Sequence, residues 1–155
     1  MFKKILVAED FDSINMAVIQ LLESLNINEI HHAKYCDDVF QKFKKAQFDN
    51  APFDLLISDL SFKSDFRTVK LKSGEELIEA IRKEQPNIKI IVYSIEEKPF
   101  RIKSLFENLE INAFVQKGRQ SLEQLKIAIH SIESNNKPYI SPELSIYFKT
   151  TPYMK

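Results

Sequence analysis

Four short apolar runs in this sequence each lead into a residue that can do chemistry. Ile5-Leu6-Val7-Ala8 is followed by Glu9 and Asp10, Leu55-Leu56-Ile57-Ser58 by Asp59, Ile90-Ile91-Val92-Tyr93 by Ser94, and Ala113-Phe114-Val115-Gln116 by Lys117. Together they offer three carboxylates, one hydroxyl and one amine. Carboxylates brought close repel one another and raise each other's pKa unless a cation is shared between them, and an oxygen-only set suits Mg2+, which keeps several of its waters. A metal between Asp59 and an incoming phosphoryl group would neutralise the oxygens of both. The Lys117 ammonium and the Ser94 hydroxyl could then hold the remaining phosphoryl oxygens. On that reading Asp59 is the nucleophile and the product is an acyl phosphate.

Such a set works only if the chain gathers its members, and the pattern of elements says how. Ile5 to Ala8 is continuously apolar, as expected of a strand buried on both faces of a parallel sheet. From Asp12 or Ser13 a helical period begins, with Ile14, Val18, Leu21, Leu22 and Leu25 on one face, stopping near Asn26 to Asn28. Glu29 to Ala33 reads as a weak strand and Asp37 to Phe48 as a second helix, through Val39, Phe40, Phe43 and Phe48; Pro52 marks the next break. Phe53 to Ser58 is a strand that delivers Asp59, and the lysine-rich stretch Ser61 to Ser73 reads as loop. Gly74 to Glu84 is helical, Pro86 breaks it, and Ile88 to Tyr93 is a strand ending at Ser94. A helix from about Glu97 to Asn108, a strand from Ile111 to Val115 and a helix from Ser121 to Glu133 complete five alternating units.

Strands alternating with helices of this length predict an α/β fold: a doubly wound, five-stranded parallel sheet with helices on both faces and right-handed crossovers. In such sheets ligands bind beyond the carboxyl ends of the strands, which is where all four chemical segments fall. Residues 1–134 make one domain and residues 135–155, with Pro138, Pro142 and Pro152, a tail or linker that should pack poorly.

Composition narrows the function classes. With 44% hydrophobic and 28% charged residues in 155, the chain can bury a core without disulfides or a structural metal. Acids and bases balance at 22 each, which argues against a surface built to neutralise nucleic-acid phosphates. The one cysteine, Cys36, cannot form an internal disulfide and has no Cys/His constellation around it. No run approaches the roughly 18 apolar residues of a membrane span, and the short N-terminal run is wrong for a signal peptide, so a cytoplasmic protein is expected.

Taken in order, Ile5-Leu6-Val7-Ala8-Glu9-Asp10, Leu55-Leu56-Ile57-Ser58-Asp59-Leu60, Ile90-Ile91-Val92-Tyr93-Ser94 and Ala113-Phe114-Val115-Gln116-Lys117 resemble the receiver domains of two-component response regulators over roughly Lys3 to Glu133. The resemblance implies a flavodoxin-like fold and a phosphorylation-dependent signalling module, not an enzyme beyond its own phosphorylation and dephosphorylation. It implies that Glu9, Asp10, Asp59 and the backbone carbonyl of Ser61 bind Mg2+, that Asp59 accepts phosphate from a sensor histidine kinase, and that Ser94 and Lys117 bind the phosphoryl group. Phe114 matches the family's aromatic switch residue, whose movement remodels the face of the fourth helix, fifth strand and fifth helix. A homodimer formed on phosphorylation belongs to the same expectation.

Two departures stand out. Leu60 to Ser73 is long, basic and without the usual proline, and Gly118 follows Lys117 where many relatives have proline. The latter is similar to receivers joined to LuxR-type helix-turn-helix domains. Lys137-Pro138-Tyr139-Ile140-Ser141-Pro142-Glu143-Leu144 looks like the linker ahead of such an output domain, which would be the only route to DNA and for which this sequence has no room. The alternative reading is a phosphate-independent interaction module of the same fold. A phosphohydrolase ranks last, because Asp59-Leu60-Ser61 lacks a second acid two residues on to serve as general acid. The default for His31, His32 and His130, and for Lys63, Arg67, Lys70 and Lys72, is a solvated surface.

Overall fold

Burial of the apolar runs on both sides organises the molecule, seen here in a computed structural model that describes residues 1–62, 69–134 and 137–148. The strands are β1 (Lys4–Ala8), β2 (Glu29–Ala33), β3 (Leu55–Ser58), β4 (Lys89–Ser94), β5 (Ala113–Gln116) and β6 (Tyr139–Ile140). They form one parallel sheet in the order β2-β1-β3-β4-β5-β6. Alternate side chains of each run go to opposite layers. Leu6, Ala8, Leu56, Ile90, Val92 and Phe114 join one buried cluster with α2 (Cys36–Phe48), α3 (Gly74–Glu84) and α4 (Pro99–Asn108). Ile5, Val7, Leu55, Ile57, Ile91, Tyr93, Ala113 and Val115 join the other with α1 (Asp12–Ser24) and α5 (Ser121–Ser134).

Chain direction across the sheet reverses around β1, whose neighbours are β2 on one side and β3 on the other. The segments after β1 and β3 therefore diverge, which opens a crevice at their carboxyl ends. With only two glycines in the chain, helices end on residues that tolerate a left-handed backbone: Asn26 (φ 63) after α1 and Asn50 (φ 57) after α2. Glu110 (φ 54) does the same after α4, where Arg82 of α3 anchors its carbonyl at 2.8 Å.

The sheet has six strands rather than the five expected, and residues 139–148 do not form a poorly packed tail. Tyr139 and Ser141 donate backbone hydrogen bonds to the carbonyls of Asn112 and Phe114. The chain then turns through α6 (Pro142–Ser145) and a single 3₁₀ turn, Ile146–Phe148, so that Ile140, Leu144 and Phe148 are buried in the same cluster as Phe114. The sixth strand has only two residues, too few to show as an alternating pattern.

The end of the loop ahead of α3 is tied down: Asp37, in the first turn of α2, accepts the backbone N–H groups of Lys70 (3.0 Å) and Leu71 (2.9 Å). Lys70 and Lys72 are exposed, while Lys63 and Arg67 lie outside the described residues. His31 pairs with Glu29 at 2.9 Å and His32 with the Asn15 amide at 3.0 Å, and His130 is exposed. Among the described residues no helix is long and apolar enough to cross a membrane.

Candidate functional site

Because β1 and β3 are neighbours in register, with Ala8 opposite Ser58, the residues that follow them emerge side by side. Glu9, Asp10 and Asp59 each place a carboxylate oxygen within 4.8 Å of the others. Glu9 and Asp59 are buried, at 2% and 6% exposure. The Lys117 ammonium reaches over from the end of β5 and bridges them, 2.9 Å from Glu9 Oε2 and 2.8 Å from Asp59 Oδ2. The other Asp59 oxygen accepts the Leu60 backbone N–H at 2.7 Å, and Glu9 Oε1 accepts that of Phe11 at 3.2 Å.

Electrostatics follow from burial. Desolvation pushes the Glu9 carboxyl above its ordinary pKa, opposed by its hydrogen bond to Lys117. For Lys117 burial alone would lower the pKa, but its hydrogen bonds to Asp59 and Glu9 outweigh that and hold the ammonium above its ordinary value. Three carboxylates against one ammonium leave the cluster short of positive charge. An all-oxygen set with that deficit fits a hard divalent cation such as Mg2+.

Ser94, at the end of β4, is 2% exposed; its Oγ accepts the Glu96 N–H at 3.1 Å, which leaves its own proton to donate. Its carbonyl accepts the Lys117 N–H at 2.9 Å. A cleft of about 310 Å³ opens over the acids, lined by Asp10, Phe11, Ile14, Asp59, Ser61, Phe62, Ile95 and Lys117. A second recess of about 360 Å³ shares Ser61 and Ile95 with it and includes Ser94, Glu96 and Arg101. The fold thus gathers Glu9, Asp10, Asp59, Ser61, Ser94 and Lys117 at one rim. Phe114 is not part of it: fully buried, it lies on β5 opposite Val92, two register pairs below Ser94 and Gln116.

Three features of this rim were not read from the sequence. Gly74, the first residue of α3, lies so close to the Asp59–Leu60 peptide that a Cβ on it would stand 2.2 Å from the Asp59 carbonyl oxygen. The Tyr93 ring centroid is 5.6 Å from Lys117 Nζ, and its hydroxyl is 2.5 Å from Ser121 Oγ, which donates to the Gly118 carbonyl at 2.8 Å. Arg101 of α4 grips Glu75 of α3 at both oxygens (2.7 and 2.8 Å) and also bonds Glu96, joining α3, α4 and the segment after Ser94. A tyrosine closing an otherwise aliphatic run was the signal for the second of these; nothing in the spacing of Glu75, Glu96 and Arg101 announces the third.

Comparison with known proteins agrees with this geometry. Residues 5–130 match the response regulator receiver domain family. The isolated receiver domain of RcsB from Salmonella enterica serovar Typhimurium, solved with the phosphomimetic BeF3-, superposes with a TM-score of 0.76 at 19% identity, over 95% of this chain and 99% of that one. The phosphorylated cyanobacterial phytochrome response regulator RcpA gives 0.67 at 19% identity, over 88% of this chain and 96% of that one. In the structure of two RcsB dimers bound to two parallel DNAs, 94% of this chain covers 66% of the RcsB chain, with a TM-score of 0.78 at 20% identity. No curated protein matches the chain.

Proposed function

The chain belongs to the response regulator receiver domain family, and from that premise we propose that it is a signalling receiver that accepts a phosphoryl group on Asp59. The observation that carries this reading is the Lys117 ammonium bridging Glu9 and Asp59 at the floor of the cleft. An Asp59 oxygen forms a bond to phosphorus as the phosphorus–nitrogen bond of a kinase phosphohistidine breaks, and the departing imidazole takes up a proton. Leu60 N–H fixes the carboxylate plane. Lys117 follows the negative charge outward onto a phosphoryl oxygen, and the Ser94 proton meets another.

Glu9, Asp10, Asp59 and the Ser61 carbonyl would hold Mg2+. When bound, that ion supplies the positive charge that lets a carboxylate and a phosphoryl group approach. Phe114 already occupies an inward position on the same sheet face as Ser94, and we assign it the switch role. The partner that supplies phosphate is a sensor histidine kinase, in the cytoplasm. Output runs through dimerisation or through a DNA-binding domain beyond residue 155.

Incubation with acetyl phosphate, with and without Mg2+, followed by intact-mass measurement of the wild type and Asp59→Ala, tests the assignment. A Mg2+-dependent adduct lost in the variant supports it. Absence of an adduct on the folded wild type rejects it in favour of a phosphate-independent module.

A further inference from the structure

Four neighbouring strands each place a residue on the rim in an unbroken line: Asp59 after β3, Ser94 on β4, Lys117 after β5 and Ser141 after β6. The last of these is not part of the site, yet it is bonded to it. Lys117 N–H donates to the Ser94 carbonyl on one side of β5, and Gln116 N–H donates to Ser141 Oγ at 2.7 Å on the other. Ser141 is fully buried; its N–H donates to the Phe114 carbonyl at 3.0 Å and its hydroxyl to Gln124 Oε1 of α5 at 2.7 Å. The Gln124 amide in turn donates to Glu143 Oε1 at 2.7 Å.

Resting on the phosphoacceptor reading, we propose that residues 139–148 are an intramolecular partner docked on the β5 edge, and that phosphorylation of Asp59 loosens them through Ser94, Lys117 and Ser141. The direction follows from the strand order. Recruiting the Ser94 hydroxyl and the Lys117 ammonium to a group on Asp59 draws the ends of β4 and β5 toward β3. That is away from Ser141, which lies on the far side of β5. The docked segment is held by one two-residue strand, three apolar anchors (Ile140, Leu144, Phe148) and the Ser141 network, so it belongs to the less stable end of the structure. Both sites bias the same element, which is what coupling requires.

Hydrogen exchange of the full chain, read by mass spectrometry with Mg2+ and with or without acetyl phosphate, tests this, with intact mass taken on the same sample. In the wild type the adduct should speed exchange of peptides covering 139–148 by roughly fivefold, the loss of about one hydrogen bond. Ser141→Ala should show fast exchange there before phosphorylation and little further change. Phe148→Ala, which loosens an anchor but keeps Ser141, should exchange faster throughout yet retain the phosphorylation-dependent increment. An adduct with unchanged protection at 139–148, or a full increment in Ser141→Ala, overturns the coupling and leaves the phosphoacceptor standing. Absence of any adduct overturns both.

Discussion

Replacing Gly74 with alanine pits two effects of known size against each other. Alanine is the better helix residue, worth up to about 1 kcal/mol inside a helix and somewhat less near its start. Gly74 has no positive φ, so backbone conformation does not oppose the change. Space does. The new Cβ would sit 2.2 Å from the Asp59 carbonyl oxygen, 2.6 Å from Leu60 Cα and 3.0 Å from the Asp59 carbonyl carbon, and backbone atoms cannot swing aside as a side-chain tip can. Ordinary contact lies near 3.5 Å, so α3 and the Asp59–Leu60 peptide must part by roughly 1 Å. That stretches the Gly74 N–H bond to the Leu60 carbonyl, now 2.9 Å, and disturbs the Ser73 cap that accepts the Glu76 N–H at 3.2 Å. Overpacking at about 1–3 kcal/mol plus about 1 kcal/mol for the hydrogen bond exceeds the helix gain. The expected result is a net loss of about 1–3 kcal/mol, seen as a lower urea midpoint at unchanged slope. Since Leu60 N–H holds Asp59 Oδ1, the phosphorylation rate should fall by roughly tenfold or more under conditions where the variant is folded. A Gly74→Ala protein that matches the wild type in urea and in phosphorylation rate would refute the steric argument.

Other perturbations separate the site from its scaffold. Burial holds Glu9 above its ordinary pKa of 4.5, so its contribution to stability is present in full below about that pH and is lost as pH rises through the folded value. Without divalent ions, Glu9→Gln should therefore flatten the fall in urea midpoint as pH rises above about 4.5, and it should bind Mg2+ more weakly. Arg82 donates to the carbonyls of Pro86, Ile88, Leu109 and Glu110 at the opposite rim, so Arg82→Ala should cost about 2 kcal/mol in urea unfolding and leave the phosphorylation rate of the folded protein unchanged. Tyr93→Phe keeps the ring near Lys117 and loses the bond to Ser121, a loss of about 1 kcal/mol of stability. Tyr93→Leu removes both, and its phosphorylation rate should fall below that of Tyr93→Phe when the two are compared.

What could be read in advance was set by burial. Ile5 to Ala8, Leu55 to Ser58, Ile90 to Tyr93 and Ala113 to Val115 had to be interior strands because both faces of each are apolar, and the order of elements then fixed which ends meet. Asn26 and Asn50 act as helix stops because an asparagine takes the left-handed backbone in a chain nearly without glycine. Tyr139 and Ile140 were hidden because they are hemmed by Pro138 and Pro142, and their pairing is decided by the Asn112 and Phe114 carbonyls they meet in space. The four-residue spacing of Ile140, Leu144 and Phe148 was the one available hint that the segment has a buried side. Phe114 shows the opposite limit: its sequence neighbours mark a strand, but only the segment packed over that strand's edge decides that its ring is fully enclosed.

The position of the site follows from the same rule that made the strands legible. A parallel strand covered on both faces has no place for a charge along its length, so the first ionisable side chains can appear only where the covering helices turn away. Four such ends in one sheet make a row of polar groups about one strand spacing apart. Within that row a displacement at Asp59 has few directions to go: the helices block movement through the sheet, and the backbone hydrogen bonds run from strand to strand. Lys117 bonded to Ser94 on one side and Gln116 bonded to Ser141 on the other make β5 the place where such a displacement is either absorbed or handed on. Burial of the Glu9 carboxyl beside Asp10 and Asp59 costs the folded state, and the row beside them determines which element a change at the site can move.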